Sequence, residues 1–468
     1  MKNTKIVSTI GPSTDTKKQI DRLIDAGVDV IRQNFSHVSH EQHEKIFDRI
    51  RETSEKTAVM ADTKGPEIRL RKVKEGTVLE QGHKVKITTE DIEGDENKLS
   101  VNYKAFLDHI ESGDEIRMDD GKIELEVDKV GETAECTVVF GGEVTDKKAV
   151  NVPGKDIGLS APTEKDREDI KFAADKGYDF ISLSFVKEAS DVEEVRKILE
   201  ENGSSAHIIS KIEHREAVEN FDEILEASDA LMVARGDLGV ELPAARLPMM
   251  QKEMIEKCNR SGKPVITATQ MLESMTENPT ATRAEISDVA NAVLDGSDAV
   301  MLSGETAIGD YPVKTVEFMS EVIEETEQTL KGHTHHTVKE RPESTRDIIC
   351  KNVWQAARDN EAGYIVAHTS SGSTARNISK YRPEKPVIAF ADSERVERQL
   401  KLAWGVRPYY EEFPEDVEGM LEASARRMKS LNLAEDDTEL VMSAGVPTRV
   451  TGTTNMLQIR TVSSILNN

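Results

Sequence analysis

The chain has 468 residues, 37% of them hydrophobic and 32% charged; this is longer than one hydrophobic core accommodates and predicts two or three domains. Its 61 Lys and Arg stand against 87 Asp and Glu, a formal charge of -26 that excludes nucleic acid and anionic membrane surfaces as partners held by charge. Three scattered cysteines, Cys136, Cys258 and Cys350, lack paired metal-ligand spacing, and no apolar run has the length of a leader or a bilayer span, so a cytoplasmic protein is expected.

In chain order, one unit recurs: a short apolar strand, polar residues at its end, then a segment of helical period such as TDTKKQIDRLIDAG, SDVEEVRKILEENG or REAVENFDEILEAS. Eight such strands read at residues 5 to 11, 28 to 35, 58 to 65, 178 to 185, 207 to 213, 230 to 237, 264 to 270 and 299 to 306. Strands alternating with helices pair in parallel through right-handed crossovers. Eight of them predict an α/β fold, a closed (β/α)8 TIM barrel, with an open doubly wound sheet as the alternative. After the third strand the pattern changes to two-residue alternation broken by Gly and Asp, as in GDEIRMDDGKIELEVDKV. That predicts a small antiparallel β domain, an inserted β-barrel over residues 70–152, on the barrel face where catalytic loops lie and so placed to act as a lid. The polar stretch KGHTHHTVKERPEST reads as a linker, its three histidines solvated or metal-binding. Residues 345–468, with YIVAHTS, PVIAFAD, RPYYEEF, ELVMSAG and MLQIRTV, predict a separate C-terminal α/β domain, leaving 1–69 and 153–335 to the barrel.

In such a barrel the site is built at the carboxyl ends of the strands. Those ends supply Arg32, Asn34 and Ser36; Asp62 and Thr63; Lys211 and Glu213; Arg235 and Asp237; Thr269 and Gln270; Ser303 and Glu305. Lys211 and Glu213, two residues apart, share one face of a strand. Either they neutralise each other or a third charged group sits between them. Glu213 and Asp237, from neighbouring strands, suit a hard cation such as Mg2+, and Lys211 beside it would then face a common anion, phosphate foremost, as phosphoryl transfer requires. Asn34, Ser36, Asp62 and the Thr63 carbonyl form either an oxygen cage for a monovalent cation or a set of buried polar groups satisfying one another. In ARGDLGVELP, Gly236 and Gly239 let backbone approach a ligand closely.

The stretches STIGPST, RQNFSH, ADTKGPEIR, SKIE, MVARGDLGVE, ITATQMLESM, TRAEISDVANAVLDG and MLSGETA, in this order, closely resemble those of the pyruvate kinase family over practically the whole chain. The resemblance implies transfer of the phosphoryl group of phosphoenolpyruvate to ADP, giving pyruvate and ATP in the last step of glycolysis, with Mg2+ or Mn2+ and K+ as cofactors. It implies that Lys211 stabilises the phosphoryl group in flight, that Glu213 and Asp237 hold the divalent ion, and that Arg32, Lys211, Gly236, Asp237 and Thr269 meet the substrate. Thr269 through a water, with Ser303, is implied in protonating the enolate. The K+ site falls on Asn34, Ser36, Asp62 and Thr63, and Glu67 stands where the family carries the acid associated with K+ dependence. Nucleotide contacts fall on Arg32, Asn34, His37, Arg69 and Lys148. HTSSGSTAR resembles the family's effector loop, placing a phosphate on Thr369, Ser371, Ser373 and Thr374, and a homotetramer is implied. Val38, the Thr280 and Ala281 of NPTATRAE, and Ile308 in place of a lysine near the nucleotide depart from the family pattern, and no extra domain after Asn468 is expected. A metal-dependent barrel lyase acting on pyruvate or phosphoenolpyruvate, and a non-catalytic phosphometabolite sensor, are the alternatives.

Overall fold

A computed structural model of the protein describes residues 2–119, 121–330, 344–360, 362–414, 416–446 and 454–467; the three histidines of the expected linker lie outside them. Eight parallel strands close on themselves: Lys5–Thr9, Val30–Asn34, Ala58–Asp62, Phe180–Leu183, His207–Ile212, Ala230–Ala234, Val265–Ala268 and Ala299–Leu302, with the first paired to both the second and the eighth. The doubly wound alternative is thereby excluded. Alternation sorts the side chains. Val7, Met60, Phe180, Ile209, Met232, Ile266 and Met301 fill the barrel, while Ile6, Ile31, Leu183, Ile208 and Val233 face the surrounding helices.

A repeated device organises the amino-terminal rim. The residue just before each even-numbered strand is an aspartate, in GVD, GYD, ASD and GSD, and its carboxylate accepts from a backbone N–H of the preceding odd strand. Asp29 takes Ile6 N at 2.9 Å, Asp179 takes Val59 N at 2.9 Å, Asp229 takes Ile208 N at 2.9 Å and Asp298 takes Val265 N at 3.1 Å. Four strand starts that would otherwise present donors to a buried rim are satisfied in the same way.

The observed strands stop short of several predicted runs at their carboxyl ends. The run 230 to 237 ends at Ala234 because the helix Arg235–Glu241 begins at once, and the run 299 to 306 ends at Leu302 just before the short helix Gly304–Ala307. Arg235 and Asp237 therefore sit on a helical turn, where the strand period of two no longer sets their direction.

The insertion folds around its own apolar cluster as a six-stranded sheet plus the ribbon Val78–Leu79 with Gly142–Glu143. One pairing departs from the expected antiparallel pattern: Lys84–Thr88 runs parallel to Lys98–Ser100, because the intervening chain loops back, held by Gly94 N on Lys72 O and by the Asp95 side chain on Asn97 N and Lys98 N. The C-terminal domain is a five-stranded sheet, parallel except for its last strand Thr454–Thr461, with clusters on both faces. It meets the amino-terminal rim of the barrel. Arg398 pairs with Asp179 at 2.7 Å, Arg382 with Asp298 at 3.0 Å, Lys5 donates to Val406 O at 2.9 Å, and Leu402 inserts among the side chains inside the barrel.

Candidate active site

At the carboxyl face of the barrel, Lys211 ends the fifth strand pointing inward. Its Nζ lies 2.8 Å from Glu213 Oε1, 2.7 Å from Ser184 Oγ and 3.5 Å from Asp62 Oδ1. The pair that shares a face thus touches directly, and a second carboxylate and a hydroxyl join it. Burial alone pulls the Lys211 pKa down, but Asp62, Glu213 and the more distant Asp237 overcome it and hold it above the ordinary lysine value. Asp62 in turn bonds Arg32 Nε; burial raises its pKa, yet Arg32 and Lys211 together keep it below the usual carboxylate range. Arg32 is fixed from behind by Thr9 Oγ1 at 2.9 Å.

Glu213 is 1% exposed, and its second oxygen accepts from Phe185 N at 2.6 Å, whereas Asp237 is exposed in the cleft between the barrel and the inserted domain. Phe185 adopts φ 61, a left-handed conformation rare for a bulky residue, and its ring packs over His214 at 4.9 Å between centroids. Gly65 leaves the room: a Cβ there would lie 2.2 Å from Phe185 Cδ2.

The fit of a metal follows from the donor set. Among the described residues no three His, Cys, Asp or Glu side chains gather to hold an ion by themselves. Two carboxylates beside a lysine fit an ion like Mg2+, which takes one or two protein carboxylates and completes its shell with substrate and water oxygens. Asn34 Oδ1 accepts from Ser36 N at 3.0 Å, and the Thr63 carbonyl accepts from Ser184 Oγ at 2.7 Å; with Asp62 they form an all-oxygen set of low net charge, which fits a monovalent cation.

Thr269 and Ser303 close the opposite side. Thr269 Oγ1 accepts from Gly236 N at 2.8 Å, and Ser303 N donates to Glu305 Oε2 at 2.7 Å. Glu305 also accepts from Leu272 N at 3.2 Å, joining the loops after the seventh and eighth strands; burial raises its pKa. Of the nucleotide candidates, Arg69 is held by Glu67 at 2.7 Å and by Lys147 O at 2.8 Å, His37 is drawn below its ordinary pKa by partial burial and then by Arg69, and Lys148 pairs with Asp119 inside the inserted domain at 2.5 Å. In the C-terminal loop, Thr374 is buried against Thr454 Oγ1 at 2.7 Å, while Ser373 receives Arg346 at 2.8 Å.

Ser184 is absent from the strand-end inventory read from the sequence, which skipped the fourth strand. Its signal was there: Ser182 and Ser184 in ISLSF alternate with apolar residues on the inward face.

Comparison with known proteins agrees with this architecture. The family model described as the pyruvate kinase barrel domain matches residues 1–316, and the one described as the pyruvate kinase alpha/beta domain matches 347–460. Pyruvate kinases of Staphylococcus aureus strains MRSA252 and USA300 are each 44% identical over 478 aligned positions, covering 100% of this chain and 82% of theirs. A crystal structure of a pyruvate kinase from Cryptosporidium parvum superimposes with a TM-score of 0.91 at 39% identity, covering 98% of this chain and 96% of that one. Fold and relatives together define a phosphotransferase built on a TIM barrel. The chain belongs to the pyruvate kinase family, whose reaction carries a phosphoryl group from phosphoenolpyruvate to ADP. Neither a lyase nor a silent sensor is favoured. No helix among the described residues is long and apolar enough to cross a membrane.

Proposed function

We propose that Lys211 stabilises the phosphoryl group in transit between phosphoenolpyruvate and ADP, with Arg32 on the other side of Asp62 taking the same group. One observation carries this reading: a buried ammonium, kept charged by Asp62 and Glu213, at the mouth of a barrel. Phosphoryl transfer asks the protein chiefly for positioning and charge stabilisation, and a fixed cation in a water-poor site supplies both.

Glu213 and Asp237 would hold the divalent ion and Asn34, Ser36, Asp62 and Thr63 the potassium ion. When bound, the divalent ion supplies Lewis acidity toward the enolate oxygen and neutralises phosphoryl charge. Thr269 and the amides of Gly236 and Asp237 orient the substrate carboxylate. The Thr269 hydroxyl, through a water and with Ser303, passes a proton to the enolate carbon. Arg32, Asn34, His37, Arg69 and Lys148 serve the nucleotide. The module at residues 70–152 closes over both substrates and keeps water from the phosphoryl group. In the domain of residues 345–468, Thr369, Ser371, Ser373 and Thr374 receive the phosphate of an effector, within a cytoplasmic homotetramer.

The test is ATP formation from phosphoenolpyruvate and ADP, with divalent ion present, in buffers with and without K+. Turnover should need K+, because Glu67 stands where the family carries the acid associated with K+ dependence; full activity in buffer free of both Na+ and K+ would contradict a monovalent site.

A further inference from the structure

Where the seventh strand ends, the chain turns through two consecutive left-handed residues that are not glycine, Thr269 at φ 64 and Gln270 at φ 55. A β-branched residue is disfavoured there, so something outside the turn must hold it. The holder is Arg235, 7% exposed. Its Nη2 donates to Thr269 O at 2.6 Å and Gln270 O at 3.3 Å, and its Nε to Ala268 O at 3.3 Å. Its Nη1 is held by Asp288 at 2.6 Å, which neutralises the charge and fixes the plane of the fork.

Arg235 also opens the helix that carries Gly236 and Asp237, and Gly236 N donates to Thr269 Oγ1. A closed ring results: backbone from Arg235 to Gly236, hydrogen bond to the Thr269 hydroxyl, backbone to the Thr269 carbonyl, and back to the Arg235 guanidinium. The guanidinium reaches the three carbonyls from two of its nitrogens while the third meets Asp288, a spread that the single nitrogen of a lysine ammonium does not span. We propose that Arg235 is a positioning residue that locks Thr269 in its left-handed conformation and so aims the threonine hydroxyl at the space beside Asp237. The inference rests on the reading of Thr269 as the substrate-facing group, but the clamp itself can be tested apart from it.

Arg235→Lys and Arg235→Ala are to be compared with the parent and with Thr269→Ala in the full chain. Arg235→Lys should lower kcat/KM for phosphoenolpyruvate at least about tenfold, leave KM for ADP within about twofold, and, in the crystal, let Thr269 leave the left-handed region. Millimolar guanidinium ion should restore part of the activity of Arg235→Ala, a rescue that general destabilisation would not give. Thr269 still left-handed in Arg235→Lys, a kcat/KM for Arg235→Lys within about twofold of the parent while Thr269→Ala is impaired, or equal losses for both substrates without rescue would each overturn the clamp. Full activity in Thr269→Ala, with Thr269 released in Arg235→Lys, would uphold the clamp and overturn instead the role given to the threonine hydroxyl.

Discussion

Lys211 lies between the carboxylates of Asp62 and Glu213, and Arg32 shares Asp62 with it. Glu213 is the carboxylate proposed to meet a divalent ion, and that gives a prediction. Glu213→Gln keeps the shape and removes the charge, so Mn2+ affinity measured by calorimetry should fall at least about tenfold; unchanged affinity would exclude Glu213 as a ligand. A second carboxylate behaves in the opposite way. Burial pushes the Glu241 carboxyl up to about 7 from an ordinary 4.5, against the pull of its bonds from Gly154 N and the Asn151 side chain where the inserted domain joins the barrel. A raised carboxyl favours folding below its unfolded value, and that advantage is lost as pH rises through the folded one. Glu241→Gln, neutral at every pH, should therefore gain stability over the parent as pH climbs from about 5 to about 7, on the order of 3 kcal/mol, then run level. Melting temperatures across that range check it, and a gap independent of pH would contradict it.

At the scale of elements, the turn after the fourth strand does much of the work: Ser184 Oγ accepts from Lys211 and Phe185 N–H holds Glu213, both from a strained turn for which Gly65 makes room. Gly65→Ala would need a Cβ where the Phe185 ring lies and, at φ 71, a conformation alanine resists. Turnover should fall at least about tenfold, with weaker Mn2+ binding, because Phe185 N–H leaves Glu213; normal kinetics would show the turn to be incidental. These elements also mark what a sequence reader can see. Strands, crossovers, the insertion and the Lys211 and Glu213 pair follow from period and composition, which are local signals. The four GVD-like rim aspartates were equally readable as a repeat and were overlooked, as was Ser184. The Arg235 clamp on residues 268 to 270 was not readable: Arg235 looked like a strand-end cation, and only the helix starting at that residue turns its side chain toward the loop behind the site. Backbone conformation of single residues such as Phe185 and Thr269 is likewise set by tertiary contacts, not by propensity.

For the whole molecule, the consequential contact lies at the end of the barrel away from the site. Leu402 of the C-terminal domain is fully buried among Val7, Met60, Ile209 and Met301 inside the barrel, so the two domains share one core there. Leu402→Ala should destabilise the protein by about 2–5 kcal/mol and speed amide exchange in the barrel strands as well as in the C-terminal domain. Exchange confined to the C-terminal domain would argue against a shared core. The ion pairs Arg382 with Asp298 and Arg398 with Asp179 flank this contact and carry the same seam through charge.

The lysine at the centre of the site is tested most directly by Lys211→Met, assayed for ATP formation from phosphoenolpyruvate and ADP while Mn2+ binding is measured on the same sample. Turnover should drop by at least about a hundredfold with the metal still bound, since the phosphoryl group loses its fixed cation while Glu213 and Asp237 remain. Turnover near that of the parent, with or without a change in Mn2+ affinity, would contradict the role given to the lysine at the centre of the site.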